Sequence, residues 1–429
     1  MNYKKFKIEK LDSISPTFCA AKWTMPNFYL WSGSTSSCQL PEPGYIDISK
    51  LNNINNLDST EEKIKQRQMM LQGERPDKCA NCWQVEDAGD DSVIPERVLY
   101  SYQASEHYDF TQFTPEKSVN PFTIKVAFDI LCNFTCSYCD ASQSSSWLTD
   151  IKKNGVYRNI KQDPRNTYQR LGKNDKLNDA EYQLIFDKFC DYVEDSLPKL
   201  KVLTCLGGEP LVSPNFWKFI NRITKLNTKN LTLHIITNLS EVDNVKRILS
   251  YKKYFKEILI SASIENIGKK AEFVRHGLVW KTFEENIQYL LKNNIKIKLL
   301  ATIPGIALDG LVEFLNWYKP YANVVDLEAH RLRHPVFQAP QVLPTHIKNI
   351  YATEINNWIN KNLNELDKFL VEQLKNIVTV LKKECTMYNN IDILVLQKNA
   401  QAFYKEFARR HNYNINDVFS QPLADWILS

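Results

Sequence analysis

The chain has 429 residues, 43% apolar and 24% charged, a globular composition too long for one ordinary hydrophobic core. Its formal charge of +5 is small and spread among interspersed acidic and basic residues, so nucleic acid is not expected as a partner. Met1 to Lys10 is too polar for a secretion signal and no run of about 18 apolar residues occurs, which predicts a cytoplasmic protein without a membrane partner.

Residues 1–115 are irregular and rich in Ser, Asn, Pro and aromatics, with a strand-like piece at Phe28 to Trp31 and a helical stretch at Glu61 to Gln72. From about residue 122 short apolar runs alternate with longer amphipathic ones. The runs Thr123 to Ile130, Val202 to Leu206, Leu231 to Thr237, Ile258 to Ile264, Ile295 to Ala301 and Val324 to Glu328 predict strands separated by helices, the pattern of a parallel sheet. Two helix starts are marked. Asn178 with Glu181 predicts a capping box, and Ser213 followed by Pro214 predicts a cap and a proline in the first turn. Six such units are too few for a closed eight-stranded barrel, so an open partial barrel with its site at the C-terminal strand ends is expected. Beyond residue 336 the apolar positions Leu366, Phe369, Leu370, Leu374, Ile377, Val378 and Leu381 recur at helical spacing.

Ten cysteines in a reducing compartment point to metal before disulfides. After the first predicted barrel strand Cys132, Cys136 and Cys139 form C-x3-C-x2-C with Tyr138 before the last. Three thiolates from one loop can hold three irons of a cubane and leave the fourth open to a chelating ligand; zinc, which wants four protein ligands, or core cysteines are the blander readings. The second strand ends in Gly207-Gly208-Glu209-Pro210, a glycine pair that allows close backbone approach beside a carboxylate able to meet an ammonium group, and otherwise an ordinary turn before a helix.

The loop Cys132, Cys136, Tyr138, Cys139 resembles, residue for residue, the hallmark of the radical S-adenosylmethionine superfamily. That resemblance implies a 4Fe-4S cluster whose open iron is chelated by the methionyl group, reductive cleavage to a 5'-deoxyadenosyl radical, and a flavodoxin- or ferredoxin-type electron donor. It further implies that Gly207, Gly208 and Glu209 bind the methionyl amine and that Ser263, at the fourth strand's end, contacts the ribose or carboxylate. Arg275, on the following helix, would take the carboxylate, and Asn238, closing the third strand after Thr237, would lie beside the cofactor. Glu265 stands where relatives often carry Asp. A guanidinium can grip a carboxylate bidentately, though such an arginine is also an ordinary surface residue.

Upstream, Cys19-x13-Gly33-x4-Cys38 and Cys79-x2-Cys82 supply four thiols. By spacing alone a 4Fe-4S cluster and a zinc are equally accommodated. The first pattern is similar to the opening signature of the SPASM and twitch auxiliary-cluster domains of the same superfamily, which implies a second 4Fe-4S cluster, here ahead of the barrel. Cys190, Cys205 and Cys385 read as core or surface thiols.

At the last predicted strand, His330 and Arg331, followed by Arg333 and His334, cluster titratable and basic groups at the mouth of the expected barrel, as candidates for binding an anionic substrate or taking its proton, or simply as a polar strand-to-loop junction. The expected architecture is an α/β fold: a cysteine-rich cluster domain over 1–115, a partial (β/α)6-type radical S-adenosylmethionine barrel over 116–335 and a helical C-terminal extension over 336–429. The expected activity is hydrogen abstraction from a small molecule, a sugar or a protein or peptide side chain. A radical enzyme with a structural zinc domain, a nucleic-acid-modifying radical enzyme and a non-catalytic metal scaffold are the alternatives.

Overall fold

In the computed structural model of the protein, residues 3–39, 41–89, 94–116, 119–165, 167–169, 177–363 and 365–429 are described. Met1 and Asn2, the start of the polar opening stretch, lie outside the described residues.

Six strands, β4 (Thr123–Ala127), β6 (Val202–Leu206), β7 (Thr232–Thr237), β8 (Glu257–Ser263), β10 (Lys296–Ile303) and β11 (Val325–Arg331), pair in parallel in the order β4-β6-β7-β8-β10-β11. Helices intervene between successive members, the βαβ arrangement expected from the alternating sequence texture. The marked helix starts form as their residue types dictate. Asn178 accepts from the Glu181 amide while the Glu181 side chain returns to the Asn178 amide at the head of Asp179–Ser196, and Ser213 caps Pro214–Ile223. Both helices drive aromatic side chains, Phe186, Phe189, Phe216 and Phe219, onto Phe128 at the end of β4.

The sheet does not end at β4. The strand β1 (Asn27–Tyr29) pairs with β4 in parallel, and β2 (Ser34–Ser36) and β3 (Gly44–Tyr45) follow in antiparallel register, so the N-terminal segment extends the barrel sheet to nine strands. Gly33 makes the turn between β1 and β2 at φ +60°, a left-handed conformation, and a Cβ there would meet Ile185 and Leu177. A second apolar core, built on Phe18, Trp23, Trp83, Phe110 and Phe113, packs the rest of this segment. At the opposite edge the helix Lys368–Lys382 covers β11, with Gln373 accepting from the Ala329 amide at 2.8 Å. No helix among the described residues is long and apolar enough to cross a membrane.

Candidate active site

The cysteine loop leaves β4 and is held from three sides. Its stem lies against the turn after β6: the amides of Gly208 and Glu209 donate to the carbonyls of Asp129 and Leu131 at 3.2 and 2.7 Å. A Cβ at Gly208 would stand 2.3 Å from the Leu131 carbonyl oxygen, so only glycine lets the two loops touch. On a second side Asn238 donates to Asn133 at 2.8 Å, which fixes the residue next to Cys132. On the third, the two-residue strands β5 (Thr135–Cys136) and β9 (Arg275–His276) pair antiparallel, with Cys136 opposite Arg275.

The loop's interior is equally constrained. Ser145 donates to the Cys132 carbonyl and accepts from its amide. The Phe134 amide points at Cys132 Sγ at 3.4 Å, and Arg275 Nη1 lies 3.8 Å from Cys136 Sγ. Trp147 donates its indole N–H to the Cys136 carbonyl at 2.9 Å, and Gln338 donates to the Ser137 carbonyl at 2.8 Å. Burial pushes all three thiols up, Cys136 to about 12. Such thiols become thiolates only against a positive charge, which a bound metal supplies. Three half-buried sulfurs with N–H donors aimed at two of them therefore fit an iron-sulfur cluster by the chemistry of the donor set.

Glu209 is fully buried. It accepts from Leu211 N at 3.0 Å, Thr237 Oγ1 at 2.6 Å and Asn238 N at 2.5 Å, and burial still raises its pKa to about 7. The same carboxylate thus ties the ends of β6 and β7 together. Arg275 follows the helix Gly268–Val274 instead of lying on it, and it is buried. Its Nε and Nη2 donate to Glu265 Oε2 at 3.0 and 2.7 Å, and its Nη2 also meets the Tyr138 hydroxyl, which lies 3.2 Å from the same carboxylate oxygen. Glu265 Oε1 is buried with no partner among the described residues, an acceptor left facing the site. Ser263 ends β8 half-buried, and its hydroxyl makes no hydrogen bond among the described residues.

His330 and Arg331 are the last two residues of β11, four strands beyond β6 in the sheet order, and His330 is exposed with Nε2 3.9 Å from Glu328. No contact joins either of them to the cysteine loop among the described residues. The partner of Arg275 is what sequence reasoning did not weigh. Glu265 was visible as a departure from Asp, but its pairing with an arginine ten residues later emerges only where β8, the intervening helix and β9 fold back on one another.

The four N-terminal cysteines line one small, partly open cavity, with Lys22, Met70, Trp83, Glu96, Arg97 and Tyr100 among its other walls. Arg97 organises it. Its guanidinium donates to the carbonyls of Pro16 and Phe18, beside Cys19, and to Glu86 on the helix Ala80–Asp87 that carries Cys82. Burial first, then the neighbouring thiols, raise Cys19, and burial raises Cys82 to about 12. No three His, Cys, Asp or Glu side chains among the described residues converge closely enough to hold one metal ion. A single tetrahedral zinc, with sulfur at about 2.3 Å, needs thiolates about 3.8 Å apart. A cubane spreads its ligands over several irons and needs a wider set.

The family model described as the Radical SAM superfamily matches residues 130–318, which run from the cysteine loop to the helix before β11. None of the curated proteins matches the chain. Among solved structures, "Native anSMEcpe with bound AdoMet and Cp18Cys peptide" is 14% identical, with 56% of this chain and 60% of that one covered and a TM-score of 0.36. "Crystal structure of Streptococcus suis SuiB bound to S-adenosylmethionine" is 11% identical over 78% of this chain and 68% of that one, with a TM-score of 0.37. The chain spans about three fifths of the length of the first of these.

Proposed function

From the Radical SAM superfamily domain that this chain carries over residues 130–318, we propose that the protein is a radical enzyme acting through a cluster on Cys132, Cys136 and Cys139. The observation that carries the reading is the triad of half-buried thiols on one loop, with N–H donors aimed at two of the sulfurs. Cys132, Cys136 and Cys139 would hold a 4Fe-4S cluster, which would supply the electron for reductive cleavage of S-adenosylmethionine and so for hydrogen abstraction from substrate.

The chain's own residues hold this arrangement. Gly207 and Gly208 bring the turn after β6 against the cysteine loop, and Glu209 with Asn238 locks β7 to it. Glu265 Oε1, buried without a partner among the described residues, and the half-buried Ser263 hydroxyl at the end of β8 are suited to the cofactor's hydroxyls and amine. Arg275, with Tyr138, faces the cluster loop and holds positive charge beside Cys136. His330 and Arg331 stand at the far edge, available to a substrate instead of the cofactor.

We assign Cys19, Cys38, Cys79 and Cys82 to a second cluster, supported by their convergence on one cavity. A flavodoxin- or ferredoxin-type donor completes the electron supply, and the substrate is a small molecule, a sugar or a protein side chain.

The test is to purify the protein without oxygen, count iron, sulfide and zinc, and assay 5'-deoxyadenosine after reduction with S-adenosylmethionine present. About eight irons, falling to about four with loss of 5'-deoxyadenosine in the Cys132, Cys136, Cys139 triple alanine variant, is the expected result. Four irons with one zinc would keep the radical site and make the N-terminal site structural. No iron after reconstitution would overturn the reading.

A further inference from the structure

A parallel sheet covered on both faces is normally apolar throughout, because a buried polar group without a partner costs free energy. One face here obeys that rule: Ile124, Val126, Leu203, Cys205, Leu233, Ile235, Ile260, Ile297 and Leu299 are all buried. The other face does not. Pairing register sets Ser36 of β2 opposite Asn27 of β1, Asn27 opposite Lys125 of β4, Lys125 opposite Thr204 of β6, and Thr204 opposite His234 of β7. Directly paired residues share a face, so these five side chains form one polar row across five strands.

The row is internally bonded except at one point. Asn27 reaches Ser36 at 3.5 Å, and Ser36 donates to the Cys38 carbonyl at 2.7 Å, which joins the row to the N-terminal cysteine cavity. His234 bonds through Nδ1 to Thr204 at 3.2 Å and through Nε2 to Ser261 of β8 at 2.7 Å. Beyond Ser261, Lys298 of β10 donates to Glu328 of β11 at 2.6 Å and is neutralised by it, and lower on this face Lys296 stands 4.0 Å from Glu257. Lys125 alone, half-buried, has no hydrogen bond or ion pair among the described residues. Burial lowers its pKa, and Cys38 and then Glu96, both lining the cysteine cavity, act on it in the opposite sense through space alone.

Burial, with Lys298 and Lys125 nearby, lowers the His234 pKa to about 4, so the imidazole is neutral and has one N–H and one bare nitrogen. It donates to one hydroxyl and accepts from the other. The hydroxyl that accepts keeps its own proton, and neither Thr204 nor Ser261 has a further partner among the described residues. The half-buried Lys125 ammonium is thus a donor without an acceptor among the described residues, and the spare hydroxyl proton belongs to Thr204 or Ser261, both buried behind it in the sheet.

We propose that this row seats the substrate and that it recognises an oxyanion, a carboxylate or a phosphate, gripped by Lys125 and assisted by the hydroxyls that His234 orients. The assignment rests on the radical-enzyme reading for its reaction but not for its binding. It places the anchored end of the substrate between the C-terminal strand ends, where the cofactor is assigned, and the N-terminal cysteine cavity. Asp326 and His330, exposed side chains of β11, flank the far end of the same face.

Isothermal titration of the cluster-loaded, S-adenosylmethionine-bound protein with inorganic phosphate and, separately, with glutarate tests this. One oxyanion or both should bind at one site per chain, at least tenfold more weakly in Lys125→Met, with affinity restored to within threefold in Lys125→Arg. Lys296→Met, which removes an exposed lysine on β10, should bind as wild type does. Iron content and circular dichroism of each variant establish that it is folded. Binding of phosphate alone assigns a phosphorylated substrate, and binding of glutarate alone a carboxylate-bearing one. No binding of either, or unchanged binding by Lys125→Met, overturns the proposal. Failure of wild type to make 5'-deoxyadenosine sinks the radical reading without touching these binding results.

Discussion

Glu265 and Arg275 form a buried pair directly behind Cys136, with both contacts to one carboxylate oxygen and the other oxygen left open. Burial pushes the Glu265 carboxyl up while Arg275 and Tyr138 hold it down, and Arg275 is raised in turn by Glu265, so each ion depends on the other. Glu265→Ala leaves the guanidinium uncompensated next to Cys136, a proposed cluster ligand, and should cost about 3–5 kcal/mol in urea unfolding. Replacing both together, Glu265→Gln with Arg275→Met, should recover much of that stability. A double variant as unstable as the single one would show that the charges are not the source.

Gly208→Ala should be more damaging than its size suggests. The added methyl group meets the Leu131 carbonyl oxygen at 2.3 Å, a backbone atom that can move only if the cysteine loop moves. The expected cost is about 1–3 kcal/mol of overpacking, together with lower iron loading of the radical site. Gly155→Ala, at φ +79° and ψ 174° with nothing within 4 Å, should lose about 1–3 kcal/mol to backbone strain and leave iron content unchanged. Iron per chain and thermal unfolding of the two variants, side by side, separate loop displacement from simple strain.

Glu209 predicts a pH dependence in the cluster-free protein. Its folded pKa of about 7 lies above the ordinary value of 4.5, so the folded state binds the extra proton. The resulting stability is fully present below about pH 4.5 and is lost as pH rises through about 7. Relative to Glu209→Gln, wild type should therefore lose about 2–3 kcal/mol between pH 5 and pH 8. Urea midpoints of both proteins at the two pH values give the comparison, and parallel curves would mean that the three hydrogen bonds to Glu209 hold it ionised.

Much of this architecture was legible because it is local. The strands β6 to β8 fall within a residue or so of their apolar runs, and the Asn178 and Ser213 caps form as their residue types require. What was not legible is set by register between distant segments. Asn27–Tyr29 joins the sheet through a parallel pairing with residues nearly a hundred positions later, which no local period encodes. Lys125 and His234 each look like one ordinary half-buried position in a short strand, and only the cross-strand alignment turns them into a row. Likewise Arg275, expected on a helix, is drawn into a two-residue strand because Cys136 offers it a partner there.

Trp147 ties the C-terminal helices to the cysteine loop. Its indole N–H holds the Cys136 carbonyl at 2.9 Å, while its fully buried ring lies against Tyr157, Tyr168 and, from the helix Ile393–His411, Phe403 and Phe407. Tyr404 of that helix reaches Gln338, which itself donates to Ser137 inside the cysteine loop. The helix therefore sets the rear wall of the loop through one hydrogen bond and one aromatic stack. Trp147→Phe keeps the stack and loses the bond, for about 1 kcal/mol, whereas Trp147→Ala opens a cavity for about 3–5 kcal/mol. Both should hasten loss of the radical-site cluster in air, followed by absorbance, with alanine the faster. If the alanine variant unfolds more easily yet keeps its cluster as long as wild type, the helix stabilises the fold without positioning the loop.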